Sequence, residues 1–75
     1  MQELLTFVAQ SLVDHPDQVS VQETEGPEAI ILELHVAEED MGKVIGKQGR
    51  IAKAIRAVIK AATARNSKPV FVEIQ

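Results

Sequence analysis

The residues with the clearest potential for chemistry are two glycines, Gly46 and Gly49, which enclose a lysine and a glutamine in the stretch VIGKQGRI. Aliphatic residues flank this stretch on both sides, so a short polar segment interrupts a chain that otherwise builds a core. Glycine lets another molecule approach the backbone without a side chain in the way, and it permits left-handed dihedral angles. Backbone amides presented next to the charge of Lys47 would be suited to binding phosphate groups.

Two common phosphate-binding signatures do not fit this segment. A Walker A loop requires G-x-x-x-x-G-K followed by serine or threonine, but Gly42 and Gly46 are one residue too close and Lys47 is followed by Gln48. A dinucleotide fingerprint requires G-x-G-x-x-G after a strand, but this glycine pair supplies only its second half and follows a predicted helix. The loop is therefore not predicted to bind a mononucleotide or dinucleotide cofactor.

A third signature, G-x-x-G between two helices, does fit, and in KH domains it clamps the backbone of about four nucleotides. The helix that follows such a loop directs its first amides and the positive end of its dipole at the same phosphates. Lys47 and Arg50 would add charge, and Gln48 a neutral donor. The alternative interpretation is structural: a glycine that ends one helix, followed by a tight turn.

The charged residues are divided between the two halves of the chain. Residues 1–40 contain ten carboxylates and no lysine or arginine, whereas residues 41–75 contain all eight basic residues and one acid. On the helix predicted for residues 50–64, an apolar stripe lies roughly opposite a basic face that has no acid to pair with it. The stripe comprises Ile51, Ile55, Val58, Ile59 and Ala62, and the basic face comprises Arg50, Lys53, Arg56 and Lys60. This division indicates contact with nucleic acid or with a membrane, or else attraction between the two halves of one small fold.

Hydrophobic periodicity and turn residues predict six elements. They are a helix over 2–13, strands over 18–23 and 29–36, helices over 37–46 and 50–64, and a strand over 69–74. This order predicts an α+β fold, αββααβ, in which a three-stranded sheet carries its helices on one face. Alternation in the second strand places Ile30, Leu32, Leu34 and Val36 on one face and Ile31, Glu33 and His35 on the other. A chain of 75 residues forms one domain, residues 1–75.

Composition disfavours several classes of function. Without cysteine there is no disulfide, zinc–thiolate site or thiolate nucleophile. Neither His15 nor His35 neighbours a nucleophile in sequence, so we expect no catalytic residues, no cofactor and no metal. The adjacent acids Glu38, Glu39 and Asp40 are predicted to cap the start of a helix rather than to bind a metal. With neither a signal peptide nor a long apolar run, the chain is expected to be cytoplasmic and without membrane contact.

The segment VIGKQGRIAKAIR closely resembles the I-G-x-x-G segment of KH domains, and the element order resembles their type II, bacterial arrangement. The short chain, its helical start ELLTFVAQSLVDHP and the stretch AEEDMGKVIGKQGR are together similar to the KhpA family of stand-alone bacterial RNA-binding proteins, over essentially all 75 residues. The resemblance implies binding of single-stranded RNA, a role as an RNA chaperone, and effects on peptidoglycan homeostasis and cell shape. It also implies a homodimer or a complex with a larger Jag-type KH protein, KhpB.

Carried onto this chain, the resemblance assigns a phosphate clamp to residues 46–49 and a groove for unstacked bases to the aliphatic residues beside them, some of which must also serve the core. The predicted RNA-binding residues are Gly46, Lys47, Gln48, Gly49, Arg50, Lys43, Val44, Ile45, Ile51, Lys53 and Arg56. The strand at residues 30–36 is expected to form the opposite wall of the groove. Ile31, Glu33 and His35 would then either lie near base edges or simply cover the sheet.

The competing hypothesis is a protein-interaction module that does not bind nucleic acid. The last helix is rich in alanine, which would let another helix approach closely and predicts a dimer contact at Ala57 or Ala61, although alanine also simply favours helix formation. Because Phe7 and Phe71 are the only aromatic residues, RNA binding would depend on backbone, cations and aliphatic contacts rather than on stacking. The RNA targets, the exclusion of single-stranded DNA and the choice between homodimer and heteromer stay open at this point.

Overall fold

The computed structural model describes all 75 residues and contains two helices and a three-stranded sheet. Helix α1 spans Gln2–Leu12, strand β1 Ser20–Glu25, strand β2 Ile30–His35, helix α2 Glu38–Ala62 and strand β3 Val70–Ile74. Non-helical dihedral angles at residues 46–49 interrupt α2, which therefore has an N-terminal segment, residues 38–45, and a C-terminal segment, residues 50–62. The predicted order αββααβ is confirmed. Neither helix combines the length and hydrophobicity that crossing a bilayer requires.

The central strand of the sheet is β2, since the strand order is β1-β2-β3. It pairs antiparallel with β1, where Ser20 lies opposite His35, and parallel with β3, where Leu34 lies opposite Ile74. A parallel pair needs a long crossover connection, and α2 supplies it. The glycine loop lies within this crossover, so it is carried by the connection between the two parallel strands.

The core lies between one face of the sheet and both helices. It is formed by eight buried residues, Leu5, Ala9, Ile30, Leu32, Leu34, Ile55, Ile59 and Val72. The predicted alternation in β2 is confirmed, because Ile30, Leu32 and Leu34 are buried. The apolar stripe predicted for α2 was too wide, since Val58 and Ala62 are exposed. A small three-stranded sheet covers only a narrow strip of the helix.

Strand β1 begins two residues later than the predicted 18–23. A short 3-10 turn at Pro16–Gln18 precedes it, in which the amides of Gln18 and Val19 donate to the carbonyls of His15 and Pro16 at 3.1 and 3.2 Å. These amides are engaged in the turn and cannot take part in the sheet ladder. The strand ends at Glu25. The amide of Gly26 then donates a hydrogen bond to the carbonyl of Ala29 at 2.8 Å, which closes the hairpin turn.

Asp40 has a different role from the predicted helix cap. The N-cap of α2 is Ala37, which makes no side-chain capping bond. Asp40 is buried, and its two carboxylate oxygens accept hydrogen bonds from the amides of Asp14 and His15 at 3.0 and 2.9 Å. Its carboxylate therefore fastens the exit of α1 to the start of α2. No three histidine or acidic side chains converge as metal ligands.

Candidate nucleic-acid interface

The loop at residues 46–49 adopts a left-handed turn that glycine only partly explains. Gly46 has extended angles, φ −73° and ψ 177°, whereas Lys47, Gln48 and Gly49 all have positive φ of 49°, 63° and 71°. The expectation that the glycines supply the left-handed residues holds for Gly49 alone. A left-handed conformation costs a non-glycine residue about 1–2 kcal/mol. The surrounding fold therefore holds Lys47 and Gln48 in a strained conformation, and both are exposed.

The space in front of the loop is open. A Cβ atom added to Gly46 or to Gly49 would meet no other atom within 4 Å. Glycine at position 49 still avoids a cost within the free protein, because its φ is positive and a side chain there would add strain. Gly46 has a φ that any residue can adopt, so nothing within the free protein demands glycine there. The absence of a side chain at Gly46 matters only to something that approaches from outside.

A shallow groove of about 350 Å³ starts at this loop. Its lining residues are Ile45, Gln48, Gly49, Ala52, Lys53, Arg56 and Ile74. One wall is the C-terminal segment of α2 and the other is the end of β3. The prediction that residues 30–36 form the second wall was wrong, because β2 is the central strand and β3 lies between it and the groove. Ile31, Glu33 and His35 lie on the sheet face opposite the buried core face.

Eight of the predicted RNA-binding residues lie at the protein surface around the loop and groove. They are Ile45, Gly46, Lys47, Gln48, Gly49, Arg50, Lys53 and Arg56. Of the other three, two are wholly or partly buried, and Lys43 is exposed but forms an ion pair. Val44 is fully buried in a cluster with Val13 and Ala52, so it exposes no surface to a ligand, and Ile51 is half-buried against the core. The Lys43 ammonium lies 3.1 Å from an oxygen of Asp14, which ties the helix to the segment after α1.

The cations of this surface are not neutralised within the chain. Of the eight lysines and arginines, only Lys43 and Lys68 form ion pairs. The six without a carboxylate partner are Lys47, Arg50, Lys53, Arg56, Lys60 and Arg65. No acid lines the groove. Attraction between the two halves of the chain is therefore not sufficient to explain why the charges are divided.

A larger cavity of about 620 Å³ shares Arg56 with the groove, and the sequence did not predict it as part of the site. This distal cavity lies between the end of α2, the connecting residues 63–69 and β3. Lys60, one turn after Arg56 and two turns after Lys53, was the signal that could have extended the predicted site. Residues 63–69 could not have been predicted from helical spacing, because their position depends on the path that the chain takes from α2 to β3.

The element order, the mixed three-stranded sheet and the G-x-x-G break between two helical segments define a KH domain of the type II arrangement. A family profile described as "KhpA/KhpB, KH domain" matches residues 2–74. The chain belongs to the KhpA/KhpB family of KH-domain proteins.

Similar proteins match the chain from end to end. RNA-binding protein KhpA of Clostridium acetobutylicum is 66% identical over 74 residues, which are 99% of this chain and 99% of that protein. RNA-binding protein KhpA of Clostridium perfringens is 64% identical over the same shares. RNA-binding protein KhpA of Listeria monocytogenes is 46% identical, with 99% of this chain and 97% of that protein covered.

Two solved structures share the fold over part of a larger protein. Era of Aquifex aeolicus, bound to GDP and AlF4⁻, superposes with a TM-score of 0.65 and 23% identity over 97% of this chain. Era in complex with MgGDPNP and nucleotides 1506–1542 of 16S ribosomal RNA has a TM-score of 0.62 and 21% identity over 99% of this chain. The match covers 28% and 30% of the respective Era chains. At these identities the likeness concerns the fold alone.

Proposed function

We propose that this protein binds single-stranded RNA by clamping the backbone of about four nucleotides at residues 46–49. The observation that carries the proposal is an exposed left-handed loop at the head of a groove whose cations have no partner in the protein. The names of the KhpA relatives, at 66% and 46% identity over the whole chain, support RNA as the ligand. The fold shared with Era, which was solved with ribosomal RNA, is compatible with it.

The proposed contacts divide between the phosphates and the bases. The RNA backbone lies against Gly46, where no side chain blocks its approach. Lys47 supplies a full charge, and the C-terminal segment of α2 directs the positive end of its dipole at the same phosphates. The bases enter the groove and contact the apolar surfaces of Ile45 and Ile74. Lys53 lies further along the same groove and adds a cation there.

The proposed site should bind weakly and with a strong dependence on salt. It offers few cationic contacts, and no aromatic side chain lines the groove on which a base could stack. We expect a dissociation constant of the order of 10⁻⁴–10⁻⁶ M near physiological salt for the isolated chain. If four phosphates are neutralised, the logarithm of the binding constant should fall with the logarithm of salt concentration with a slope of about −3.

Reversal of one charge at the loop tests the proposal. Lys47→Asp should weaken binding of a single-stranded oligoribonucleotide at least about tenfold, equivalent to about 1.4 kcal/mol, because it places a carboxylate against the phosphates. Aspartate tolerates the left-handed conformation better than lysine does, so the midpoint of the unfolding transition should not decrease. Fluorescence anisotropy measures the binding and circular dichroism the fold.

The matched control is Arg65→Asp, which makes the same change of charge at an exposed position that lines neither the groove nor the distal cavity. It should lower affinity only slightly, through the long-range field. Equal losses for the two variants would mean that the chain attracts RNA by overall charge and that the loop is not a specific clamp.

The proposal also includes association with a second KH protein. Ala54, Ala57, Val58 and Ala61 form an exposed strip of small residues on the C-terminal segment of α2, turned away from the core. Such a strip suits close packing of another helix, from a second copy of the chain or from a Jag/KhpB-type partner. Two linked grooves would raise the affinity for one RNA strand through effective concentration, which would offset the weakness of a single site.

The biological role that we propose follows the family resemblance. It is that of a cytoplasmic RNA chaperone which, together with a Jag/KhpB-type protein, affects peptidoglycan homeostasis and cell shape. The support is membership of the KhpA/KhpB family. Crosslinking in cells, followed by sequencing of the bound RNA and identification of co-purified proteins, tests both parts. Recovery of neither RNA nor a KH-domain partner would contradict this role.

A further inference from the structure

We propose that the distal cavity is a second nucleotide subsite, which extends the bound RNA beyond the nucleotides clamped by the loop. This inference rests on the proposed function, because it assumes that RNA occupies the groove. The distal cavity is lined by Arg56, Ile59, Lys60, Thr63, Ala64, Asn66, Ser67, Lys68, Pro69, Val70, Phe71 and Val72. It is larger than the groove beside the loop, about 620 Å³ against about 350 Å³.

The chemistry of the lining fits a nucleotide. Three of the twelve residues are cationic and none is acidic, although the chain as a whole carries a net charge of −3. Five are hydrophobic, so the cavity also offers apolar surface to the flat face of a base. Asn66 and Ser67 bring side chains that can both donate and accept hydrogen bonds, as base edges require. An anion that carries a flat, partly apolar ring satisfies all three features.

The distal cavity adjoins the groove at Arg56, and this favours RNA, which can extend from one depression into the other, over a small anionic ligand. Arg56 lines both. Its Nε donates to the carbonyl of Val72 at 3.4 Å, which steadies the side chain between the two depressions and leaves its terminal nitrogens available. Lys53, Arg56 and Lys60 follow one side of the helix, and at 1.5 Å per residue Lys60 lies about 10 Å beyond Lys53. A strand that leaves the clamp along this side of α2 reaches the cavity.

The far wall of the distal cavity is preformed. The Lys68 ammonium lies 2.7 Å from a carboxylate oxygen of Glu25 and donates to the carbonyl of Gly26 at 3.0 Å, which fastens the connection to the β1–β2 turn. The Thr63 hydroxyl donates to the carbonyl of Ile59 at 2.7 Å and closes the end of α2. Lys68 is thus a positioning residue whose charge is already engaged. Lys60, exposed and without an ion pair, is the free cation that belongs to this cavity alone.

The test compares a tetranucleotide and an octanucleotide of single-stranded RNA with mixed sequence, titrated into the whole protein and followed by NMR chemical shifts. The wild-type protein should bind the octanucleotide more tightly. Lys60→Ala should weaken octanucleotide binding at least about fivefold and make its salt slope shallower by about 0.7, the value for one lost phosphate contact. Binding of the tetranucleotide should not change. A longer strand also gains affinity because it can occupy the groove in several registers. This statistical gain persists in Lys60→Ala, so a loss of affinity in the variant reports the contact made by Lys60 itself.

Arg65→Ala is the control, because it removes an exposed charge that does not line the cavity, and Lys60→Gln repeats the test with a side chain that keeps the aliphatic stem. Equal weakening of binding to both oligonucleotide lengths by Lys60→Ala, or no effect on either, would overturn the second subsite.

The variants also distinguish failure of this inference from failure of the proposed function. If Lys47→Asp weakens binding of both lengths while Lys60→Ala weakens neither, the inference fails and the proposed function stands. If Lys47→Asp has no effect, the proposed function itself fails. Displacement of the octanucleotide by a glutamate-rich peptide that depends on Lys60 would assign the cavity to a protein ligand and overturn the inference.

Discussion

The presence of glycine at the two ends of the G-x-x-G loop has a different physical reason at each position. Gly49 has a φ of 71°, which penalises any side chain in the free protein. Gly46 has a negative φ and open space around it, so the folded chain does not need glycine there. If the loop clamps a polynucleotide, the requirement at Gly46 comes from the ligand. Substitution can therefore separate the contribution of each glycine to stability from its contribution to binding.

Gly46→Ala should leave the free energy of unfolding unchanged or raise it by up to about 1 kcal/mol, because alanine restricts the unfolded chain at a compatible position. It should nevertheless weaken RNA binding, since the methyl group occupies the approach of the phosphates. Gly49→Ala should lower the free energy of unfolding by about 1–2 kcal/mol through its left-handed angle. Urea unfolding and RNA titration of the same samples measure both quantities.

Gly42→Ala is the matched control. Gly42 lies in the N-terminal segment of α2 with no atom within 4 Å of an added Cβ. Alanine there should stabilise the helix by about 0.5–1 kcal/mol and leave RNA affinity as it is. An affinity for RNA that is unaffected by Gly46→Ala would contradict close approach of the backbone at the loop.

Among the elements, the junction of α1 with α2 depends on one buried carboxylate. Asp40 accepts hydrogen bonds from two consecutive amides after α1, and no other residue satisfies these donors in the structure. The Lys43–Asp14 ion pair adds a second, exposed link between the same elements. The N-terminal segment of α2, which leads directly into the glycine loop, is therefore held in place from the side of α1.

Asp40→Ala should lower the free energy of unfolding by about 2–4 kcal/mol, because it leaves two amides without an acceptor at a buried site. Asp40→Asn should cost about 1–3 kcal/mol, since its amide group can accept through only one of its two polar atoms. Glu39→Gln, an exposed change on the same turn, should alter stability by less than about 0.5 kcal/mol. Chemical denaturation gives all three values, and a cost for Asp40→Ala as small as that for Glu39→Gln would refute this role.

The elements themselves were predictable because their signals are local. Alternation in β2, the periodicity of the two segments of α2 and the glycine pair between them are all visible within a few residues of sequence. The start of β1 was missed because Pro16 begins a turn that engages the next amides. The burial of Asp40 was missed because its partners lie more than twenty positions away in the chain.

The wall of the groove could not be derived from local patterns at all. Both β2 and β3 alternate, and only the pairing of the whole sheet shows that β3 is the edge strand beside α2. Ile74 therefore lines the groove although nothing in its neighbourhood in sequence marks it. The cationic part of the site was predictable, since Lys53 and Arg56 share one side of a helix. The apolar wall opposite them was not.

At the scale of the whole molecule, the distribution of the charged residues over the fold produces one basic side. The acidic half forms α1, β1 and β2, and the unpaired cations belong to the loop, the C-terminal segment of α2 and the turn after it. In the proposed function, this distribution of charge would direct a polynucleotide to the side of the molecule that carries the groove. The opposite face of the sheet carries the acids Glu33 and Glu73 beside Phe71, a surface that repels phosphate.

Association of two copies through the strip of small residues on α2 is tested by the size of the particle in solution. Ala61→Gln should shift the sedimentation profile toward the monomer, because a long polar side chain keeps the helices apart. Ala62→Gln, at an exposed position on the flank of the same helix, should not. Identical profiles for the wild type and both variants, with the wild type dimeric, would move the interface to another surface.

The clamp at residues 46–49 is tested most directly by mapping the RNA contact onto the sequence. A single-stranded oligoribonucleotide titrated into isotopically labelled protein should shift the backbone amide resonances of residues 46–50 most strongly, followed by those of Lys53 and Arg56. The resonances of Ile31, Glu33 and His35 on the opposite sheet face should stay in place. Shifts concentrated on that sheet face, with the glycine loop unchanged, would contradict the proposed clamp.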